Sequence, residues 1–166
     1  MFEMKTLDAT DKALFFDELA MQARGLLHGE RNLIANAANF SALLYHSLAD
    51  VNWVGFYFLD GDELVVGPFQ GKPACVRIAI GKGVCGTAFA ERKTQRVEDV
   101  DAFAGHIPCD GDSRSEIVVP LEVNGEIIGV LDIDAPIKAR FDAEDQVGIE
   151  KLAGIFVESF KSDGQD

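Results

Sequence analysis

The sequence is poor in cysteine, proline and basic side chains, and these shortages exclude several classes of protein. Its 166 residues include three cysteines, five prolines and one tryptophan. A small, odd number of cysteines argues against a structural disulfide framework. Lysine and arginine number 15 against 28 aspartates and glutamates, a net charge of −13, so nucleic acid and anionic membrane surfaces are poor partners. No apolar run approaches the roughly 20 residues that span a bilayer.

What remains is the composition of an ordinary globular chain. Apolar residues make up 48% of the sequence and charged residues 26%, a mixture that can bury a substantial core. The length fits one domain over residues 1–166, with about ten residues at the start and about five at the end poorly ordered. The first five residues lack the basic and apolar pattern of a signal peptide, so the cytoplasm is the expected compartment.

Helical periodicity occurs near both ends of the chain. An amphipathic helix is predicted over residues 11–28, and a second helix over about 32–48. Asp142 is predicted to cap a final helix, with Asp145 completing a capping box. The positions expected to face the core are Leu14, Phe15, Leu19, Ala23, Leu26, Leu27, Leu33, Ala37, Phe40, Leu44, Leu48, Ile149, Leu152, Ile155, Phe156 and Phe160.

Between these helices the pattern changes to short strands separated by turns. Hairpin-linked strands flanked by terminal helices predict an α+β fold with a largely antiparallel sheet. A short helix is predicted over 84–90, and an irregular stretch over 101–113. The predicted strands cover residues 51–59, 63–69, 76–80, 95–100, 115–123 and 126–134.

The first predicted strand is apolar on both faces. Alternation places Trp53, Gly55 and Tyr57 on one face and the intervening residues on the other. From the strand alone, ordinary core positions are therefore the preferred interpretation of Trp53 and Tyr57.

Two aspartates and a glutamate are predicted to converge on one face of the sheet. Asp132 and Asp134 are two residues apart on one strand, so both carboxylates face the same side. A three-residue loop, 123–125, pairs Glu116 with Asp132 and separates charged from apolar positions, and a bare two-residue turn does not. On that basis Val118, Ile128 and Val130 are placed beside the carboxylates.

Like charges this close raise the pKa of at least one carboxyl. Such a cluster therefore either binds a cation or holds a proton at neutral pH. A hard metal ion and an amino-acid ammonium group both suit it.

The three cysteines occupy different local contexts. Cys109 lies in the irregular stretch, a placement that favours a chemical role, and His106 and Arg114 are near enough in sequence to favour its thiolate. Cys75 lies at the edge of a loop. Cys85 is predicted at a helix N-terminus, where the helix dipole can lower the pKa of its thiol, but a small packed residue is the preferred interpretation. Spacings of ten and twenty-four residues fit no compact zinc motif, so no metal site is predicted.

Six blocks of the sequence form a set that goes beyond secondary structure. They are Asn-Trp-Val-Gly-Phe-Tyr (52–57), Gly-Pro-Phe-Gln-Gly-Lys-Pro-Ala-Cys (67–75), Gly-Val-Cys-Gly (83–86), Gly-His-Ile through Cys-Asp (105–110), Ser-Glu-Ile-Val-Val-Pro (115–120) and Gly-Val-Leu-Asp-Ile-Asp (129–134). Together these blocks resemble the free methionine-(R)-sulfoxide reductases, enzymes built on the GAF domain. The resemblance covers about residues 30 to 160 and implies a GAF-like α+β fold, with a six-stranded sheet and flanking helices in a single domain. It also implies a homodimer.

The resemblance also implies roles for individual residues. Cys109 corresponds to the nucleophile, Cys75 to the resolving thiol and Cys85 to an auxiliary thiol. The implied substrate-binding residues are Trp53, Tyr57, Glu116, Asp132 and Asp134. The chain departs from the family pattern at Ala104, where proline is usual, and at Pro108, where a small residue is common.

The mechanism expected from these roles needs no bound cofactor. The thiolate of Cys109 attacks the sulfoxide sulfur, and Glu116 protonates the oxygen. Asp132 and Asp134 hold the substrate ammonium. Cys75 then converts the sulfenic acid to a disulfide, which thioredoxin or another dithiol reduces.

Two other functions fit parts of the sequence. A non-catalytic GAF sensor would bind a small ligand, although the acidic cluster suits a cyclic phosphate poorly and no output domain is expected in this length. A redox sensor would report oxidation of Cys75 and Cys109 to a partner. Formation of methionine from its sulfoxide distinguishes the enzyme from both.

Overall fold

The computed structural model describes residues 1–107 and 110–161, and most predicted elements are present within a few residues of their expected bounds. The strand expected over 95–100 ends at Val97, because Asp99 caps a 3-10 turn that begins at Val100. The elements in chain order are α1 (Lys12–Leu27), α2 (Leu33–Ser47), β1 (Trp53–Asp60), β2 (Glu63–Gly71), β3 (Arg77–Ala79), α3 (Gly83–Glu91), β4 (Gln95–Val97), the 3-10 turn (Val100–Ala102), β5 (Ser115–Val123), β6 (Glu126–Ala135) and α4 (Ala143–Phe160).

Side-chain caps set the first residues of the three long helices. The carboxylate of Asp11 accepts a hydrogen bond from the backbone N–H of Leu14, and the amide oxygen of Asn32 does the same for the second helix. The predicted capping box of α4 is confirmed: Asp142 accepts from the backbone of Asp145, and Asp145 accepts from the backbone of Asp142. These bonds satisfy N–H groups that a helix leaves without partners.

The six strands form one antiparallel sheet in the order β3-β2-β1-β6-β5-β4. Helices α2 and α4 pack on one face, with α1 against both of them, and α3 packs against the other. The largest core lies under α1, α2 and α4 and includes Phe40, Phe56 and Phe156. A smaller apolar cluster under α3 includes Trp53 and Tyr57, which confirms them as buried.

One predicted core position of α1 is wrong. Leu14 was expected to face inward, but it is 52% exposed, and Phe16 is buried in its place. The buried stripe passes through Leu19 and Ala23, and Phe16 continues it at helical spacing. Leu14 is five residues before Leu19, about 140° round the helix, and therefore faces solvent.

The predicted register of the β5–β6 hairpin is also wrong. The turn contains two residues, Asn124 and Gly125, both with positive φ, as a type I′ turn requires. A bulge after Leu121 then shifts the register, so that Glu116 pairs with Asp134 instead of Asp132. The error is two residues, and the carboxylates stay on the predicted face because strand alternation has a period of two.

The bulge also moves one apolar residue. Ile128, expected beside the carboxylates, is the unpaired residue of the bulge and packs against the larger core. Val118 and Val130 remain on the carboxylate face as predicted.

The start of the chain contributes little regular structure. Residues 1–10 form no helix or strand, although Lys5 and Gln22 exchange two hydrogen bonds and Leu7 packs on the core. Residues 162–166 lie outside the described residues, so poor order at the ends stays a prediction. In the described part of the chain, no helix is long and apolar enough to cross a membrane.

Candidate active site

The register of three central strands brings an aromatic ring and two carboxylates into one row. Asp134 of β6 lies between Trp53 of β1 and Glu116 of β5. In the next row on the same face, Asp132 lies between Gly55 and Val118. Glu116, Asp132 and Asp134 therefore converge, as the sequence predicted.

Glycine 55 leaves room for the aromatic wall of the site. A Cβ atom there would lie 2.7 Å from the ring of Trp53 and 2.3 Å from the Cβ of Phe69. The Trp53 ring stacks on Phe69 at 5.1 Å and on Tyr57 at 5.9 Å between ring centroids. Its indole N–H donates to the carbonyl of Lys72 at 3.1 Å, so the ring is fixed beside the carboxylates.

Two of the carboxyls are almost entirely buried. Glu116 is 6% exposed and Asp132 is 5% exposed. Burial raises the pKa of Glu116 well above its ordinary value, and repulsion from Asp132 and Asp134 raises it further. Burial also raises the pKa of Asp132, to about 6, against the opposing effect of hydrogen bonds from Cys85 and Glu116. The raised pKa of Glu116 favours its protonated form, whereas a pKa of about 6 lets Asp132 ionise near neutral pH.

The third carboxyl, Asp134, is less buried and has different neighbours. Burial raises its pKa well above the ordinary value, and the charges of Asp132 and Asp110 act in the same direction. A hydrogen bond from Ser113 acts in the opposite direction. A cation entering the site would favour the ionised form.

Cys85 contacts this cluster, which the sequence did not predict. It is the free cysteine among the described residues, and its Sγ lies 4.0 Å from Oε1 of Glu116. Burial raises the pKa of its thiol well above the usual value, and the charges of Asp132 and Glu116 add to the effect. This burial agrees with the packing role expected for Cys85. It does not agree with a thiolate stabilised by the helix dipole, because burial and the two carboxyls raise the pKa more than the N-terminus of the nine-residue α3 lowers it.

A second set of polar residues, for which the sequence predicted no role, comprises Asn52, Asp110 and Ser113. The side-chain amide of Asn52 donates to Asp110 at 3.2 Å and to the hydroxyl of Ser113 at 3.1 Å. Asn52 directly precedes β1, and Asp110 directly follows Cys109. Their meeting depends on a loop that folds back on the sheet, and no local pattern predicts such a contact.

Cys75 lies beside this site on the segment after β2. It is half-buried and disulfide-bonded, and its carbonyl accepts a hydrogen bond from the hydroxyl of Tyr57 at 3.0 Å. Lys72 forms an ion pair with Asp110 at 3.7 Å and another with Asp112. These contacts connect the segment of Cys75 to the loop of Cys109. Pro108 and Cys109 lie outside the described residues.

The two basic residues expected to favour a thiolate differ in their surroundings. His106 lies with Nε2 3.9 Å from Oε2 of Glu116, and burial lowers its pKa, so the imidazole is neutral at pH 7. Arg114 donates to the carbonyls of Gly111 and Ser113. His106 therefore brings no fixed positive charge to the site.

Many of these groups border one cavity. The cavity is narrow, with a free volume of about 30 Å³. Trp53, Tyr57, Cys85, His106 and the three carboxyls line it. Ile107 and Asp110, on either side of the undescribed pair, and Ala74, next to Cys75, also line it.

The cavity combines an apolar wall with a cluster of three carboxyls whose pKa values are raised by burial. Such a site can hold an ammonium group and donate a proton to an oxygen nearby. Cys85, Glu116 and Asp132 also place three possible metal ligands close together.

Comparison with known proteins identifies the family. The GAF domain family model matches residues 16–156. Protein YtsP of Bacillus subtilis is 55% identical over 145 residues, covering 86% of this chain and 89% of the relative. Free methionine-R-sulfoxide reductase of Escherichia coli is 54% identical over 142 residues, covering 86% of each. The chain belongs to the free methionine-R-sulfoxide reductases, a family of GAF-domain enzymes.

A solved structure of the family extends the likeness to nearly the whole chain. Free methionine-R-sulfoxide reductase from Neisseria meningitidis, in complex with its substrate, superposes with a TM-score of 0.92 at 43% identity. The match covers 96% of both chains. The predicted GAF fold and the predicted family are thus confirmed.

Proposed function

We propose that this protein reduces free L-methionine-(R)-sulfoxide to L-methionine, with Cys109 as the nucleophile. Family membership supports the reaction, and the buried carboxyl cluster supports the preference for a free amino acid. The observation on which the proposal depends is the convergence of Glu116, Asp132 and Asp134 on one cavity, where burial raises the pKa of each. When two nearby carboxyls differ in protonation, one can donate a proton and the other can bind a cation.

In the proposed binding mode, the substrate ammonium lies against Asp132 and Asp134. The positive charge lowers the pKa of both carboxyls and keeps them ionised. The Oδ1 atom of Asp132 is buried and has no hydrogen-bond partner among the described residues, so an ammonium N–H can satisfy it. The indole face of Trp53 contacts the terminal methyl group of the substrate, and Tyr57 supports that ring.

The chemical step transfers oxygen from substrate to enzyme. The thiolate of Cys109 forms a bond to the sulfoxide sulfur while Glu116 protonates the oxygen. The S–O bond then breaks as the hydroxyl passes to the sulfur of Cys109, and the new S–S bond breaks to release the substrate sulfur. Methionine leaves with its sulfur reduced by two electrons, and Cys109 becomes a sulfenic acid, oxidised by two electrons. Without a proton the oxygen is a poor leaving group, which is the reason for an acid in a buried site.

Cys75 then resolves the sulfenic acid. Its thiol condenses with Cys109 to form a disulfide and release water. The disulfide-bonded state of Cys75 and the ion pairs from Lys72 to the 110–112 loop support this role. A dithiol protein such as thioredoxin, in the cytoplasm, then reduces the disulfide. No bound cofactor enters this cycle, and a homodimer stays a prediction from the family.

Turnover of a defined substrate tests the proposal. The purified protein with dithiothreitol should form methionine from the R epimer of free L-methionine sulfoxide, and little from the S epimer. Cys109→Ser should form none. Cys75→Ser is the matched control, since it should still form one equivalent of methionine per chain in a single turnover.

Methionine formation by Cys109→Ser at the wild-type rate would disprove the assignment. Binding of the sulfoxide without turnover by the wild-type protein would instead favour a sensor.

A further inference from the structure

Three potential metal ligands from three elements of the fold meet in the cavity. Cys85 lies on α3, Glu116 on β5 and Asp132 on β6. The Cys85 sulfur and one carboxylate oxygen from each of the others lie within 4.8 Å of one another, and all three residues are buried. Burying these groups in their charged forms costs free energy, and a bound cation would offset that cost by neutralising them.

A separate observation indicates that this cluster lacks a ligand. The Oδ1 atom of Asp132 is buried, borders the cavity through its side chain, and has no hydrogen-bond partner among the described residues. Buried carboxylate oxygens in native proteins almost always have a partner. The cavity offers access to the cluster, because all three residues line it.

The kind of donor atom determines which cation fits. Magnesium and calcium ions prefer oxygen donors alone, whereas a sulfur donor beside two carboxylates favours Zn²⁺ or Cd²⁺. A zinc ion with bonds of about 2.3 Å to sulfur and about 2.0 Å to oxygen holds these atoms about 3.5 Å apart. The Sγ of Cys85 and Oε1 of Glu116 are 4.0 Å apart, so a shift of about half an ångström would suffice. Neutral His106, near Glu116, offers a fourth donor.

We propose that Cys85, Glu116 and Asp132 form a binding site for one thiophilic divalent cation, Zn²⁺ or Cd²⁺, which excludes the substrate ammonium from the same carboxylates. The cation is thus a competitive inhibitor and not a cofactor. Binding of the cation is independent of the proposed function, and only its inhibitory effect depends on that function.

Proton release gives this site a recognisable signature. Cation binding must displace the thiol proton of Cys85 and the proton held on Glu116, because thiolate and carboxylate are the ligand forms. Releasing two protons makes affinity rise with pH, by roughly ten- to a hundredfold per unit. The other titratable groups that face the cluster are neutral His106 and the carboxyls of Asp134 and Asp110, none of which brings a positive charge against the cation.

The test uses the double variant Cys75→Ser/Cys109→Ser, in which Cys85 is the remaining cysteine. Titration with Cd²⁺ should produce the ultraviolet thiolate-to-cadmium charge-transfer band, saturating at one ion per chain. Adding Cys85→Ser should abolish the band, and adding Glu116→Gln should weaken binding by roughly tenfold or more. Glu122→Gln, an exposed glutamate of the same strand, is the matched control and should leave binding unchanged.

Three results would overturn the proposal. The first is the absence of a charge-transfer band, and the second is Cd²⁺ binding that Glu116→Gln does not weaken. The third is binding of Mg²⁺ as tight as that of Cd²⁺. Free L-methionine should compete with Cd²⁺ in the double variant, and failure to compete would disprove the overlap of the two sites. Cadmium binding by a protein that proves inactive with the sulfoxide would disprove the reductase function and leave the cation site intact.

Discussion

At the scale of single residues, environment gives different tasks to chemically similar groups. Glu116 and Asp132 share one cavity, and burial raises the pKa of both. Repulsion from Asp132 and Asp134 raises the pKa of Glu116 further, whereas hydrogen bonds from Cys85 and Glu116 oppose the rise at Asp132. A proton donor and a cation-binding carboxylate can then coexist at pH 7. The thiol of Cys85, held neutral by the same burial, acts on them only as a hydrogen-bond donor or a metal ligand.

Replacing the proposed acid tests this division of tasks. Glu116→Gln should lower kcat by about 10²- to 10³-fold while KM changes by only a few-fold, since the amide keeps the shape but donates no acidic proton. Wild-type activity should be lost as pH rises through the raised pKa of Glu116, and the variant should lack that loss. Steady-state kinetics between pH 5 and 9 measure both effects.

Glu122→Gln provides the control for this experiment. Glu122 is on the same strand but exposed and paired with Arg92, so its kinetics should match the wild type. A variant at Glu116 that raises KM and keeps kcat would assign this residue to binding alone.

The residue scale also shows what the sequence can and cannot predict about the site. Alternation along β6 is enough to place Asp132 and Asp134 on one face. The contact of Cys85 with Glu116 depends on how α3 packs across the sheet, 31 residues away in sequence. The link from Asn52 to Asp110 spans 58 residues, and no local pattern encodes either distance.

At the scale of elements, a bulge decides which residues face each other. The type I′ turn at 124–125 alone would pair Glu116 with apolar Ile133. The bulge after Leu121 moves the pairing by one residue and restores alignment of charged with charged positions. Bulges leave weak sequence signals, so the faces were predictable from alternation but the pairing was not.

Two glycines of α4 offer a test of helix packing against the core. A Cβ atom at Gly148 would lie 2.2 Å from the ring of buried Phe16 on α1, whereas one at Gly154 would meet nothing within 4 Å. Gly148→Ala should therefore lower the free energy of unfolding by about 1–3 kcal/mol through overpacking. Gly154→Ala should raise it by up to about 1 kcal/mol through helix propensity.

Urea unfolding of the two variants measures both changes on the same helix. Equal stabilisation by the two substitutions would show that α1 and α4 are not in the described contact.

At the scale of the whole molecule, the two faces of the sheet have different tasks. Three helices cover one face, where Phe40, Phe56 and Phe156 pack closely. The opposite face has α3, a smaller apolar cluster and the buried carboxyls. Burying these carboxyls in their ionised form lowers the free energy of unfolding. The proposed function needs ionised carboxylates in this cavity, so it conflicts with the stability of the fold.

The conflict predicts how stability depends on pH. The pKa of Asp132 rises from 3.8 to about 6 on folding, so its contribution is most favourable below about pH 4 and is lost as pH rises through about 6. Asp132→Asn should therefore stabilise the protein at pH 8 by on the order of 2 kcal/mol, or roughly 4–8 °C in Tm. Thermal unfolding at pH 5 and pH 8 should show a smaller pH dependence in the variant.

Asp99→Asn is the control for this measurement. Asp99 forms a surface ion pair with Lys138, which lowers its pKa, so its replacement should not stabilise the protein at pH 8. An unchanged or lower Tm for Asp132→Asn would contradict the raised pKa of Asp132.

The central claim is that the carboxyl cluster recognises the ammonium group of a free amino acid. The most direct measurement compares kcat/KM for L-methionine-(R)-sulfoxide with that for its N-acetyl derivative, which has the same sulfoxide but no positive charge. We predict a loss of at least about a hundredfold on acetylation, because a buried carboxylate is then left without its partner. Values of kcat/KM within a few-fold of each other would contradict the claim.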